Sequence, residues 1–127
     1  MEKADLNICK LMFALTATLL QFLFGGWTLP IKILVAAISL DIITGVLAAS
    51  KRGKGNSKAF EKGLKRKIGI FVLVALAHLI DKVIGTSEPI IQTATIYWYV
   101  GKEGFSIMEN AGKIGVPLPT PLIKALE

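Results

Sequence analysis

The stretch LMFALTATLLQFLFGGWTLPIKILVAAISLDIITGVLAAS, residues 11–50, decides the fold because it contains only two charged side chains, Lys32 and Asp41. A hydrocarbon core of about 30 Å needs about 20 helical residues for each crossing, so this stretch predicts two membrane-spanning helices. Residues 25–30, GGWTLP, separate them and predict a tight turn, with Trp27 at the membrane interface and Pro30 opening the second helix. The two spans are therefore predicted to form a helical hairpin.

The next segment, residues 51–67, is strongly basic, with eight Lys or Arg side chains and one Glu. The eight are Lys51, Arg52, Lys54, Lys58, Lys62, Lys65, Arg66 and Lys67. Basic loops beside membrane spans stay on the cytoplasmic side, so we interpret this segment as a solvated loop that fixes topology and attracts anionic lipid. Ser57 can cap a helix on the membrane surface with an apolar stripe of Phe60, Leu64 and Ile68. A nucleic-acid patch is the alternative, but no nucleic-acid motif accompanies the charge.

The composition agrees with an all-α integral membrane protein that forms a single domain over residues 1–127. Of the 127 residues, 53% are hydrophobic and 19% charged, and the mean hydropathy is +0.60. The predicted spans are residues 8–29, 31–50, 68–85 and 89–108, followed by an amphipathic C-terminal segment over 109–127 in which Pro121 opens a short helix. The chain has no room for a separate soluble domain.

The fourth span is the weakest, since the apolar run 90–100 ends at Gly101, Lys102 and Glu103. Tyr97, Trp98 and Tyr99 are typical of the membrane interface. The prediction is four crossings, or three if this segment lies at the interface.

Orientation follows from the basic residues. With four crossings, one side collects thirteen of them and the other only Lys32 and Lys82. The thirteen are Lys3, Lys10, the eight of residues 51–67, Lys102, Lys113 and Lys124. Both termini are therefore predicted in the cytoplasm. With three crossings the C-terminus lies outside, and the basic loop stays inside.

Asp41 lies near the middle of the second span, where a carboxylate costs roughly 2.5 to 3.5 kcal/mol on the insertion scale. At helical spacing it shares a face with Thr44, Gly45 and Ala48, a set that combines polar groups with small residues. This pattern favours an oligomer or bundle face. A proton-relay or pore-lining carboxylate, and a protonated Asp41 bonded inside the monomer, are the alternatives.

His78 and Asp81 lie three residues apart on the third helix and form a candidate intramembrane polar pair. The chain has one His and one Cys, Cys9, so the usual metal ligand set and an intrachain disulfide are both excluded. Asp81 is predicted to pair with His78, Lys82 or a neighbouring subunit.

Enzyme activity has no support in the sequence. No nucleophile–base arrangement, phosphate-binding loop or paired carboxylates can be identified, and no cofactor is expected. Glu103 and Glu109 lie six residues apart and do not share a helix face.

Several short motifs follow one another between residues 41 and 119. They are D-I-I-T-G at 41–45, S-x-x-x-x-K-G-L-x-x-K at 57–67, Asp81 at the end of the third helix, E-G-F-S-I-M-E-N at 103–110 and G-V-P-L-P at 115–119. In this order, on a small cationic membrane chain, they resemble the phage lysis and toxin-secretion holins of Gram-positive bacteria and their phages. The charged C-terminal tail common among holins is reduced here to Lys113, Lys124 and Glu127.

The resemblance implies a protein that accumulates in the cytoplasmic membrane, self-associates, and opens lesions that let an endolysin reach the peptidoglycan. We expect assembly or lumen roles at Asp41, Thr44, Gly45 and Ala48, and a C-terminal contact at Glu103, Ser106, Glu109 and Asn110. A small ion or proton channel or transporter would use Asp41, His78 and Asp81. A membrane adaptor would use the basic loop and the C-terminal segment.

Overall fold

The computed structural model describes residues 2–51 and 57–127, and within these ranges all regular secondary structure is helical. The helices are α1 (Lys3–Phe24), α2 (Leu29–Lys51), α3 (Ser57–Ile84), α4 (Ile90–Ile114) and the short α5 (Thr120–Ala125). By length and composition, α1 and α2 are able to cross a membrane. Over the described residues α3 and α4 do not meet the same criterion, since both are more polar.

The turn between α1 and α2 is made by glycines. Gly25 adopts a left-handed conformation with φ 79°, and its N–H donates to the carbonyl of Gln21 at 2.8 Å. A left-handed residue after the last turn is a common way to end a helix, and glycine adopts it without steric cost.

The structure corrects the predicted loop over residues 51–67. The α2 helix continues to Lys51, and residues 57–67 form the first turns of α3, which runs without a break to Ile84. These residues are mostly good helix formers, and Glu61 pairs with Lys65 one turn later at 3.2 Å. The predicted surface helix is therefore the start of α3. The rest of the predicted loop, residues 52–56, lies outside the described residues.

α4 is the central helix of the bundle. It packs most extensively against α2 and next against α3, whereas α1 packs against α3. The apolar core joins α2, α3 and α4 and consists of Ile31, Leu34, Ile38, Ile70, Val74 and Ile96. None of the residues of α1 is buried. The tight turn predicted between the first two helices is present, but the main partner of α1 is α3.

The C-terminal part of the chain folds back on α4. That helix ends at Gly115, with φ 101°. Lys51 donates from Nζ to the carbonyl of Ile114 at 2.6 Å. After α5, the Leu126 side chain covers Gly104, where an added Cβ would lie 3.2 Å from Leu126 Cδ1. The bond from Lys51 to Ile114 places the C-termini of α2 and α4 side by side.

Candidate functional site

Three charged side chains from three helices meet inside the bundle. Asp41 comes from α2, Lys67 from α3 and Glu103 from α4, and the exposed fractions of their side chains are 8%, 9% and 4%. Lys67 Nζ donates to Asp41 Oδ2 and lies 3.1 Å from Glu103 Oε2. We call these three residues the ionic cluster.

The uncharged side chain of Asn110 completes the hydrogen bonding of the Asp41 carboxylate, and Thr44 lies beside it. Asn110 Nδ2 donates to Asp41 Oδ1 at 2.9 Å and lies 3.1 Å from Thr44 Oγ1. Thr44 Oγ1 in turn donates to the carbonyl of Leu40 at 2.8 Å. Both carboxylate oxygens of Asp41 therefore have donors, as a buried charge requires.

Because its charges are buried and paired, the stability of the ionic cluster depends on each of its three side chains. It contains two carboxyl groups and one ammonium, and removing one partner of a buried ion pair leaves an uncompensated charge that costs about 3–5 kcal/mol. Because each charge comes from a different helix, the ionic cluster ties together the positions of α2, α3 and α4.

The α2 face singled out from the sequence lies against α4 of the same chain. Asp41 and Thr44 bond to Asn110, and a Cβ added to Gly45 would lie 3.6 Å from Asn110 Nδ2. Ala48 is buried as well. Within one chain this is a bundle face, and its role in assembly or in a lumen stays a prediction.

Lys67 was predicted as part of the solvated basic loop, and its contact with Asp41 and Glu103 was not predicted. The structure buries it. Two signals in the sequence point to this position: Lys67 directly precedes the apolar run of α3, and it lies three and seven residues before the core residues Ile70 and Val74. Its charge is also opposite to that of Asp41.

The other basic residues of the same segment have different surroundings. Lys51 bonds to the end of α4, and Arg52 and Lys54 lie outside the described residues. The remaining four, Lys58, Lys62, Lys65 and Arg66, are exposed on α3.

The residues expected to form a C-terminal contact lie in two different surroundings in the structure. Glu103 and Asn110 belong to the ionic cluster and its hydrogen bonds. Glu109 is exposed and pairs with Lys113 at 3.2 Å, and both Ser106 and Glu109 line a crevice between α2, α3 and α4. Glu103 and Glu109 do not come together as an acid–base couple.

At the opposite end of the bundle, Asp81 joins α3 to the start of α4. It accepts hydrogen bonds from the backbone N–H groups of Ile91 at 3.0 Å and Gln92 at 2.9 Å, so it satisfies donors that a helix N-terminus leaves free. Asp81 was expected to pair with His78 or Lys82, but its hydrogen bonds are to these backbone N–H groups instead. Gln92 Nε2 donates to the carbonyl of Phe24 at 2.8 Å, which brings in the end of α1 and was not foreseen from the sequence.

His78 is buried against the turn between α1 and α2. Its side chain is 6% exposed, and Nδ1 has no hydrogen-bond partner. The imidazole fills the space where a Cβ of Gly25 would lie, 2.5 Å from His78 Cε1. Among residues 2–51 and 57–127, no group of three or more His, Cys, Asp or Glu side chains could hold a metal ion.

Open cavities flank the bundle in the part of the chain that the structure describes. A crevice of about 920 Å³ lies between α2, α3 and α4, and Asp41 and Lys67 are among its lining residues. A second, apolar groove of about 530 Å³ lies between α1, α2 and α3 and is lined by residues including Phe24, Trp27 and Phe71. The ionic cluster is therefore next to an opening that water can enter.

Comparisons with known proteins agree on one family. The model of the bacteriophage holin family matches residues 18–127. A probable holin of Bacillus phage phi105 is 35% identical over 105 residues, which cover 83% of this chain and 76% of the phage protein.

Uncharacterized bacterial proteins are also similar. One from Halalkalibacterium halodurans is 39% identical over 123 residues, covering 94% of this chain and 91% of that protein. One from Listeria monocytogenes is 41% identical over 101 residues, with coverages of 80% and 71%. No solved structure matches this chain.

Proposed function

Because the chain belongs to the bacteriophage holin family, we propose that it oligomerises in the bacterial cytoplasmic membrane and opens lesions through which an endolysin, or a toxin, leaves the cell. The family match over residues 18–127 carries this proposal. The partners we propose are further copies of the chain, membrane lipid and, functionally, an endolysin. Nucleic acid has no part in it, and neither does a catalytic reaction.

The proposed topology has four crossings, with both termini and the basic segment in the cytoplasm. Three observations support it. The 25 residues of α4 span about 37 Å, more than the hydrocarbon core of about 30 Å. The bond from Lys51 to Ile114 joins the C-terminal ends of α2 and α4. The surplus of Lys and Arg lies at this end.

Cysteine labelling tests this topology. In a Cys9→Ser background, Ser87→Cys between α3 and α4 should react with an impermeant maleimide added to intact cells, and Lys124→Cys should not. Both should react after the membrane is permeabilised, which controls for hidden thiols. Labelling of Lys124→Cys in intact cells would instead support three crossings with the C-terminus outside.

The ionic cluster suggests how a lesion could be lined. In the single chain its charges face one another, which avoids placing them against lipid. We propose that, in the oligomer, α4 separates from α2 and α3, so that Asp41, Thr44 and Gly45 turn toward a water-filled lumen. Small residues on the same face would allow close approach between helices of neighbouring copies.

Lesion formation is tested by induced expression in a bacterium, with membrane potential followed together with the escape of a folded cytosolic enzyme. We expect sudden depolarisation and simultaneous release of the enzyme. A chain ending at Lys51 keeps the two most apolar helices and controls for unspecific damage at matched expression. A membrane that stays tight at high expression would contradict the proposal and favour an adaptor.

A small ion or proton channel is the second candidate, because the crevice reaches two members of the buried ionic cluster. In the same assay a channel would depolarise the membrane while the enzyme stays inside. Retention of the enzyme therefore separates this candidate from a lesion large enough for an endolysin.

A further inference from the structure

The crevice between α2, α3 and α4 arises from the way these helices pack. Both α2 and α3 pack extensively on α4, and the crevice lies between them, lined by residues of all three helices. It extends along the last part of α2 and the first part of α3, the basic end of the bundle. A volume of about 920 Å³ is in the range of small-molecule sites, about 300–1,000 Å³.

The polar lining of the crevice favours an anion. Arg66 is exposed there and makes no ion pair with the described residues. Lys113 also lines it and gives one of its three N–H donors to Glu109, a carboxylate that lines the crevice too, at 3.2 Å. The hydroxyl groups of Ser50, Ser57 and Ser106 add possible donors. At the inner end, the charge of Lys67 is already taken up by Asp41 and Glu103.

The remaining lining is apolar and would suit hydrocarbon. Ile42 and Val46 contribute it from α2, and Phe60 and Leu64 from α3. Val46, Phe60 and Leu64 remain largely exposed within the chain. A free phosphate ester would leave these side chains uncovered, whereas an amphiphile would use both halves of the lining.

We propose that this crevice binds an anionic phospholipid of the cytoplasmic leaflet, with its phosphodiester headgroup at Arg66 and Lys113 and its acyl chains along Phe60, Leu64 and Val46. Basic pockets between transmembrane helices on the cytoplasmic side bind anionic headgroups in the same way. The inference rests on the proposed cytoplasmic position of the basic end. It does not depend on lesion formation.

The test measures lipid retention by the purified full-length chain in neutral detergent, using native mass spectrometry with phosphatidylglycerol and phosphatidylcholine. We expect one tightly retained phosphatidylglycerol and little phosphatidylcholine. Arg66→Gln/Lys113→Gln should weaken retention about 10- to 30-fold, as two basic contacts imply. The control Lys62→Gln/Lys124→Gln removes the same charge outside the crevice and should retain lipid like the native chain.

Three outcomes would overturn the inference: equal loss in the two double variants, equal retention of the two lipids, or competition by glycerol phosphate at the concentration of the lipid. If the crevice variant loses helical content, Arg66→Lys, which keeps the charge, must retain the lipid for the inference to stand. Lipid retention is measured on purified protein, so its failure is distinct from a failure to form lesions in cells.

Discussion

Replacing Lys67 with Met is expected to destabilise the folded chain by about 3–5 kcal/mol, because it leaves two buried carboxyl groups without their ammonium. Asp41 and Glu103 are less than one-tenth exposed and come from helices that hold the bundle together. The measurement is unfolding of the purified protein in detergent, followed by circular dichroism. Accumulation in the membrane should fall in parallel.

Lys65→Met is the matched control, since Lys65 lies on the same helix, is 74% exposed, and among the described residues forms an ion pair with the exposed Glu61. An exposed pair of this kind contributes about 0.3–0.5 kcal/mol. The triple variant Asp41→Asn/Lys67→Met/Glu103→Gln removes every charge of the ionic cluster and should recover part of the lost stability. If Lys67→Met unfolds like Lys65→Met, the ionic cluster does not hold the helices as described.

Gly25→Ala is expected to cost about 2–5 kcal/mol, by adding a left-handed backbone penalty of about 1–2 kcal/mol to overpacking of about 1–3 kcal/mol. The φ of Gly25 is 79°, and the new Cβ would lie 2.5 Å from His78 Cε1 and 2.9 Å from Nδ1. Either α1 moves away from α3, or the imidazole leaves its buried position. The same unfolding measurement in detergent gives the value.

Gly85→Ala separates the backbone penalty from the cost of overpacking against His78. Gly85 has almost the same backbone angle, φ 80°, but nothing lies within 4 Å of the position of its Cβ. Its substitution should cost only the backbone part, about 1–2 kcal/mol. In the double variant Gly25→Ala/His78→Ala the steric part should disappear, so that the two changes are not additive. Equal costs for Gly25→Ala and Gly85→Ala would show that the contact with His78 contributes nothing.

The sequence predicted the helical class and the first two helices because lipid imposes a simple rule on charge spacing. From residue 11 to 50 only Lys32 and Asp41 interrupt the apolar run. The core of a soluble protein does not require so long a stretch with so few charges. The family was also recognisable, since its motifs occur in order along the chain. Asp41 was singled out because an isolated carboxylate in hydrocarbon is costly, and its predicted role in assembly or in a lumen stays a prediction.

Which residue pairs with Asp41 could not be predicted from the sequence. Lys67 is one of eight basic residues among seventeen positions. Its place just before the apolar run of α3 hints at burial, but only the packing of α3 against α2 and α4 brings it to Asp41. Likewise, adjacency along the chain favoured α1 against α2, whereas the Gly25–His78 contact depends on how α3 returns across the bundle. Gln92 gave no signal at all, since its bond to Phe24 joins backbone and side chain 68 residues apart.

The separation of the ionic cluster along the chain has a consequence for biosynthesis. Lys67 follows Asp41 by 26 residues, and Glu103 follows Lys67 by 36. At about 5–20 residues per second, the ribosome needs several seconds to deliver the whole set. Until Lys67 has been synthesised, the nascent α2 helix has Asp41 without either charged neighbour. In the proposed topology with four crossings, the translocon therefore handles this carboxylate before α3 and α4 emerge, and insertion of α4 is the step that completes the bundle.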